Sequence, residues 1–441
     1  MLRHTFFIFL FSFFASQSWA QGQAEKLTIN EAIRIALESN FNIQLAKNIE
    51  TIATNNNSLG NAGFLPTVDV SGQYSNNNNI RFEASNQEDS VFVLRNLKSN
   101  NYGLDATLNW VLFDGTKMFV TLDKLAAIQE QAKWDSKVVI ENTLSNTISA
   151  YYNIINEKSR LFILQDALGL SNQRLQIAKS KYELGKFSKA EYLSAQVDYN
   201  ADKSAVIAQK GLLNGSKVRL NVLLARKAET TFTVADSVIT VENYFEISAL
   251  RYKVEADNYQ LAASKVGLLI ASREKREIET ELLPTIALQA NTGIGGSTNP
   301  VGFLRTTNTT SLNYGLTASW RIFDGFNKNR RIQNAVINEY NQEVSLNSLR
   351  NELLGALETQ FVLYQNRLEL IRLEVNNVEV ARENSDLALE RFKVGRSNSL
   401  DLREAQLNTV QAAGRLLNAL YEAKMAEIEL LRISGTTILE N

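Results

Sequence analysis

A six-residue pattern that occurs twice constrains the fold of this chain more than any other feature. Trp110-Val111-Leu112-Phe113-Asp114-Gly115 returns as Trp320-Arg321-Ile322-Phe323-Asp324-Gly325, 210 positions later. Tyr182-Glu183-Leu184-Gly185 answers Phe392-Lys393-Val394-Gly395, and Ala195-Gln196 answers Ala405-Gln406, at the same offset. Upstream, Leu65-Pro66-Thr67-Val68 answers Leu283-Pro284-Thr285-Ile286, and Asn40-Phe41 answers Asn258-Tyr259, both 218 positions on. One long unit is written twice, which points to internal pseudo-symmetry rather than to a solenoid. The first repeat is read as residues 21–225 and the second as 247–435. Residues 226–246 join them, and 436–441 form a tail.

The chain opens with Leu2-Arg3-His4, an apolar run from Thr5 to Ala15, and Ser18-Trp19-Ala20. This is the pattern of an export signal with a small-residue cleavage site, so residues 1–20 are read as a signal peptide. No later segment offers about 18 uninterrupted apolar residues, so no spanning helix is expected. Cysteine is absent, and the only histidine, His4, lies in the signal. Without either residue the mature chain has no Ser-His-Asp or Cys-His catalytic set and no zinc site of those ligands. No cofactor, metal or catalytic residue is expected. The formal charge of −1 argues against a general nucleic-acid binder.

Four stretches alternate with period 2, the strand signal, near residues 66–75, 101–113, 284–293 and 312–323. In the second, Tyr102, Leu104, Ala106, Leu108, Trp110 and Leu112 oppose Gly103, Asp105, Thr107 and Asn109. In the fourth, Tyr314, Leu316, Ala318, Trp320 and Ile322 oppose Asn313, Gly315, Thr317, Ser319 and Arg321. An Asn-rich loop is expected from Asn76 to about Asn100, and a surface turn at Gly293-Ile294-Gly295-Gly296. Tyr102 with Trp110, and Tyr314 with Trp320, bound the apolar faces as interfacial aromatics do. Eight residues at about 3.4 Å, tilted about 40°, give roughly 20 Å of height, near the apolar band of an outer-membrane barrel. Half of a soluble sandwich is the competing arrangement.

The remainder is helical. A first helix is expected from a cap at Asn30 to about Asn61, ended by Pro66. Asp114 and Asp324 are candidate caps of two long helices, 115–183 and 325–393, both free of proline. About 65 residues at 1.5 Å each make roughly 100 Å. Leu161, Leu164, Leu168, Ser171, Leu175, Ala178 and Tyr182 form a coiled-coil seam on the first. Return helices follow at 188–225 and 398–433. The second return helix carries two seams, one through Leu402, Ala405, Thr409 and Ala412 and one through Leu407, Val410, Gly414 and Leu417, so it needs neighbours on both sides. Tight turns at Gly185 and Gly395 separate each long helix from its return, and Ser188 with Glu191 makes a capping box. Thr231–Val234 and Val238–Val241 are expected as short strands of a small mixed region.

These motifs, in this order and spacing, resemble the TolC-like outer-membrane efflux protein family over about residues 27–435. The carriers are Leu27-Thr28-Ile29-Asn30-Glu31-Ala32, the two Leu-Pro-Thr strand starts, the two Phe-Asp-Gly junctions and the two glycine turns with the Ala-Gln pairs beyond them. The resemblance implies an α+β membrane protein in the outer membrane of a Gram-negative bacterium, with a large periplasmic part. It implies a homotrimer whose twelve-stranded barrel, four strands per chain, continues into a long periplasmic α-helical coiled-coil barrel. Strand arithmetic agrees: four strands do not close, eight are filled by side chains, and twelve leave a pore. The implied function is passive conduction of substrates from a periplasmic adaptor and an inner-membrane transporter to the outside, by efflux or secretion. Implied contacts with the adaptor are Gly185, Lys186, Phe187, Ser188, Gly395, Arg396 and Ser397. The implied pore constriction is Asp401 with Glu404. Ser397 stands where some members have a basic residue, and Phe392 where they have another aromatic. Arg396 and Arg403 are therefore both candidates for locking the tip. Asp401 and Glu404 also read as ordinary helix-start acids. A non-conducting periplasmic coiled-coil spacer is the alternative function.

Overall fold

The computed structural model describes residues 25–85, 91–241, 244–300 and 303–436. The expected signal peptide, and residues 437–441 of the expected tail, lie outside the described residues. The chain divides into two units, each assembled from both halves of the sequence. One comprises Leu37–Asn146, Val241–Leu373 and the chain from Glu422 on; the other comprises the chain up to Ala36, Thr147–Thr240 and Glu374–Tyr421.

The first unit carries a four-stranded antiparallel sheet of β2 (Thr67–Ser85), β3 (Val91–Phe113), β5 (Thr285–Thr298) and β6 (Thr306–Ser319), in that spatial order. The ladder places Val70 beside Ala106, Leu104 beside Ile294 and Leu288 beside Leu316. Directly paired residues share a face, so the apolar sets of all four strands fall on one side. Asp69, Thr107, Asn291 and Asn313 pair in turn on the other.

Two expectations about this sheet are corrected. Asn76 to Asn79 is not loop: β2 and β3 stay paired to Ser85 and Val91, past the last β3–β5 pair at Asn100 and Thr298. Once Val68–Tyr74 fixes the register, the hairpin extends because backbone bonding outweighs the weak strand preference of Asn. Gly293–Gly296 is not a surface turn but the end of β5. A Cβ at Gly293 would collide with the Asp105 carboxylate, and one at Gly296 would lie 2.5 Å from the Tyr102 hydroxyl. The glycines make room for side chains of the neighbouring strand. β6 also ends at Ser319, so Trp320 and Ile322 lie beyond it.

Four helices of this unit stand side by side. The expected first helix is broken at Asn40 into α1 (Ile29–Ser39) and α2 (Phe41–Asn56). Thr28, not Asn30, caps α1, its hydroxyl accepting from Glu31 N at 3.2 Å. Asn40 caps α2 by accepting from Asn42 N at 2.8 Å. In the second half α5 (Ile247–Asp257) and α6 (Tyr259–Thr280) break at Asn258, which accepts from Leu261 N. α3 (Lys117–Glu183) and α7 (Asn327–Lys393) each run 67 residues, about 100 Å at 1.5 Å per residue. Asp114 accepts from Met118 N and Asp324 from Lys328 N, as first-turn caps do. Gly115 is left-handed at φ +73°, and a Cβ there would lie 2.7 Å from Leu283 Cβ, so backbone and space both require glycine. Leu250, Val254, Leu261, Leu353, Leu357 and Leu430 anchor the apolar core.

In the second unit β1 (Glu25–Leu27) pairs in parallel with β4 (Phe232–Val234). Val238–Val241, expected as a strand, is irregular. The return helices are α4 (Lys189–Leu223) and α8 (Ser399–Ile433), 35 residues each. Within the unit α8 touches α3 through Arg160 and Asn418, and α7 through Thr409 and the Ala381 carbonyl. α8 thus has more than one neighbouring helix, as two seams require. Among the described residues no helix is long and apolar enough to cross a membrane.

Candidate functional site

Two surfaces stand out, one in each unit. The first is the sheet. Val68, Val70, Tyr74, Leu104, Leu312, Leu316 and Tyr314 are all exposed on its apolar face. An apolar face this broad, carried by all four strands, calls for lipid or a partner. The polar face is cross-linked by Asn291, whose Nδ2 donates to Thr107 Oγ1 at 2.9 Å. The two tryptophans do parallel work. Trp110 Nε1 donates to the Phe64 carbonyl at 2.9 Å, and Trp320 Nε1 to the Leu282 carbonyl at 3.0 Å. Each indole thus ties the end of its strand to the residue two before the strand-opening proline. Tyr102 reaches over Gly296, and its hydroxyl lies 3.1 Å from Asn308 Oδ1. Tyr314 pairs with Ala290, which in turn pairs with Leu108.

The second surface is formed by the turns after α3 and α7. Gly185 and Gly395 have φ of +71° and +77°. Gly185 N donates to the Tyr182 carbonyl and Lys186 N to the Lys181 carbonyl; Gly395 and Arg396 repeat this with Phe392 and Arg391. This is the left-handed stop that satisfies the last helical carbonyls. Nothing lies within 4 Å of a Cβ built on either glycine. Lys186, Ser188 and Arg396 are exposed, whereas Phe187 and Ser397 are half-buried. The Ser188–Glu191 capping box is formed, with Ser188 N donating to Glu191 Oε2 at 2.8 Å.

The two turns are joined to each other. Lys181 Nζ donates to the Phe392 carbonyl at 2.7 Å and sits over the rings of Phe392 and Phe187, 4.7 and 4.9 Å from their centroids. Phe392 is fully buried, so it works as a packing anchor between the turns. Nothing in the repeat pattern marked Lys181, since only folding brings it beside a residue 211 positions away.

Asp401 and Glu404 are exposed and three residues apart at the start of α8, which puts them on nearly one face. Asn398 caps this helix, accepting from Leu400 N and Asp401 N at 2.8 Å each. Arg403 points elsewhere. Its guanidinium grips Asp202 of α4 through two bonds, at 2.7 and 2.9 Å, and that pairing raises its pKa. Beside it Arg174 of α3 is fully buried, bonded to Asp198 and 3.4 Å from the Ser399 carbonyl. Burial lowers the Arg174 pKa, while Asp198 counters it. Ser171, Arg174, Asp198, Asp202 and Arg403 therefore tie α3, α4 and α8 together. Arg396 makes no ion pair among the described residues.

The family model described as Outer membrane efflux protein matches residues 32–226 and 250–436. The chain belongs to this family. Outer membrane protein TolC of Escherichia coli K12 is 21% identical over 355 residues, spanning 77% of this chain and 70% of that protein. Outer membrane efflux protein BepC of Brucella suis is 22% identical over 349 residues, spanning 74% and 71%. Among solved structures, the Campylobacter jejuni CmeC outer membrane channel superposes with a TM-score of 0.76 at 16% identity, covering 92% of this chain and 85% of that one. That likeness is one of fold. As a family member the chain is an outer-membrane efflux protein with a large periplasmic part.

Proposed function

We propose that three copies of this chain close a twelve-stranded barrel in the outer-membrane lipid and continue it as an α-helical tunnel. The assembly is a channel, not an enzyme. It passively conducts substrates passed on by an inner-membrane transporter through a periplasmic adaptor. The observation that carries this reading is the sheet: four strands, one face with exposed apolar residues from every strand, and both edges, β2 and β6, open among the described residues. A sheet with two open edges and a lipid-compatible face is an arc of a barrel that other copies must complete. A non-conducting spacer would have no use for such a sheet. The exposed turns at Gly185–Ser188 and Gly395–Ser397 dock the adaptor in this reading. Tyr102, Trp110, Tyr314 and Trp320 meet the membrane interfaces.

Asp401 and Glu404, repeated by symmetry, become two stacked acidic rings at the constriction. Such rings favour cations over anions. Purified protein in planar bilayers tests both parts. Stepwise single-channel currents are expected, with a reversal potential in a salt gradient that reports cation preference. Asp401→Asn with Glu404→Gln should weaken that preference. Absence of steps would overturn the conduit. An unchanged reversal potential would reduce both residues to helix-start acids.

A further inference from the structure

Away from the turns, three helices of the second unit border a groove of about 400 Å³. α3 supplies Phe162 and Asp166, α7 supplies Asp386, and α8 supplies Gln406 and Val410. Gln406 is only 3% exposed, so it lies on the floor of the groove. Neither the nitrogen nor the oxygen of its carboxamide has a hydrogen-bond partner among the described residues. Thr409, one turn on, does not serve it. Its hydroxyl donates to the Ala381 carbonyl at 2.9 Å and lies 3.0 Å from the Ala405 carbonyl. A buried amide without partners is costly, and in a native structure it calls for an explanation. Helix packing is not one, since leucine would fill a similar volume without that cost. The sequence repeat is not one either. The counterpart of Gln406 in the first half, Gln196, is exposed, so its amide can meet water.

The rest of the lining is amphipathic. Leu170 and Val410 are apolar, and Phe162 is 62% exposed. Asp166 and Asp386 are exposed and outnumber the one cation of the lining, Arg382. This charge is particular to the groove. Shifted by the 210-residue offset, Asp166 becomes Asn376 and Asp386 becomes Gln176. The groove also lies away from Asp401 and Glu404. Around α8, Gln406 is turned by about 140° from Asp401 and about 160° from Glu404.

We propose that this groove binds a small amphipathic organic cation that carries an amide. The apolar body of the ligand lies on Phe162, Leu170 and Val410. Its amide exchanges hydrogen bonds with the Gln406 carboxamide, and its ammonium group faces Asp166 and Asp386. An amide satisfies both Gln406 atoms at once, because it offers one N–H and one C=O. A volume of about 400 Å³ suits a drug-sized molecule rather than a folded partner. The site stands or falls separately from the conduit.

Procainamide serves as the probe, since it combines an aromatic ring, one secondary amide and an ammonium group. It is titrated into the full-length protein in mild detergent, and calorimetry reads binding against detergent alone. Saturable binding of one molecule per chain is expected, weakening as salt is added. Gln406→Leu should weaken it about tenfold, the loss of a buried amide hydrogen bond. The same change should raise Tm, because an unpaired buried amide gives way to an apolar group of similar size. Asp166→Asn with Asp386→Asn should also weaken binding. Asp401→Asn with Glu404→Gln, on the other side of α8, should leave it unchanged. Three results would each overturn the proposal: no saturable binding, binding unaffected by Gln406→Leu, or binding removed by the Asp401 and Glu404 changes. A lowered Tm in Gln406→Leu would overturn it too, since the amide would then be paired within the fold.

Discussion

Glu141 on α3 is buried, and its Oε1 has no hydrogen-bond partner among the described residues. Burial is the main cause that raises its pKa, to about 7; Arg432 pulls it down and Glu429 pushes it up. Arg432 is committed to Glu429, through bonds of 2.8 and 2.6 Å, and so neutralises Glu141 incompletely. The folded-state pKa stands above the ordinary 4.5, so the folded protein binds this proton more tightly than the unfolded chain does. Glu141 therefore contributes stability below about pH 4.5 that is lost as pH rises towards 7. Glu141→Gln should flatten the dependence of Tm on pH across that window and raise Tm at neutral pH. An unchanged slope would mean that Glu141 is well solvated. No pattern in the sequence singles this residue out, since its burial depends on α8, almost 300 positions away. The same holds for Arg174, Asp198 and Asp202, charges that sequence places on helix surfaces and folding places in one cluster.

The elements were far more legible. Period 2 at Tyr102–Leu112 and the absence of proline from both long helices are local signals, and the ladder and the 67-residue helices follow from them. Readings failed where a local preference yielded to a neighbour. Asn76–Asn79 looked like loop because Asn disfavours strands, yet Ile80 and Phe82 keep the alternation of Val68, Val70 and Tyr74, which could have shown the strand running on. Gly293 and Gly296 looked like part of a turn because the side chains of Asp105 and Tyr102 that need their space belong to another strand. The glycine turns were readable because the left-handed stop is itself local. At Gly395 there is room for a side chain but φ is +77°, so the cost of a substitution lies in the backbone, about 1–2 kcal/mol. Such a cost is small against a 35-residue helix on one side and a 67-residue helix on the other. Gly395→Val should therefore leave the protein assembled in the membrane while abolishing export of a fluorescent substrate from cells. Full export by that variant would refute a docking role for the turn.

At the scale of the molecule, the account turns on what one chain leaves unfinished. Among the described residues its sheet has two open edges and an exposed apolar face, and α2 and α7 carry exposed apolar side chains. An isolated chain would expose all of this to water, which marks the surfaces as lipid-facing or joined to further copies. Four strands per chain set the number of copies: two would make an eight-stranded barrel filled by side chains, and three a barrel with a lumen. Barrel closure and conduction therefore stand or fall with the subunit count. The direct measurement is the mass of the purified protein in mild detergent, by light scattering corrected for bound detergent or by native mass spectrometry. The account predicts three copies of the chain; a mass of one or two copies would contradict it.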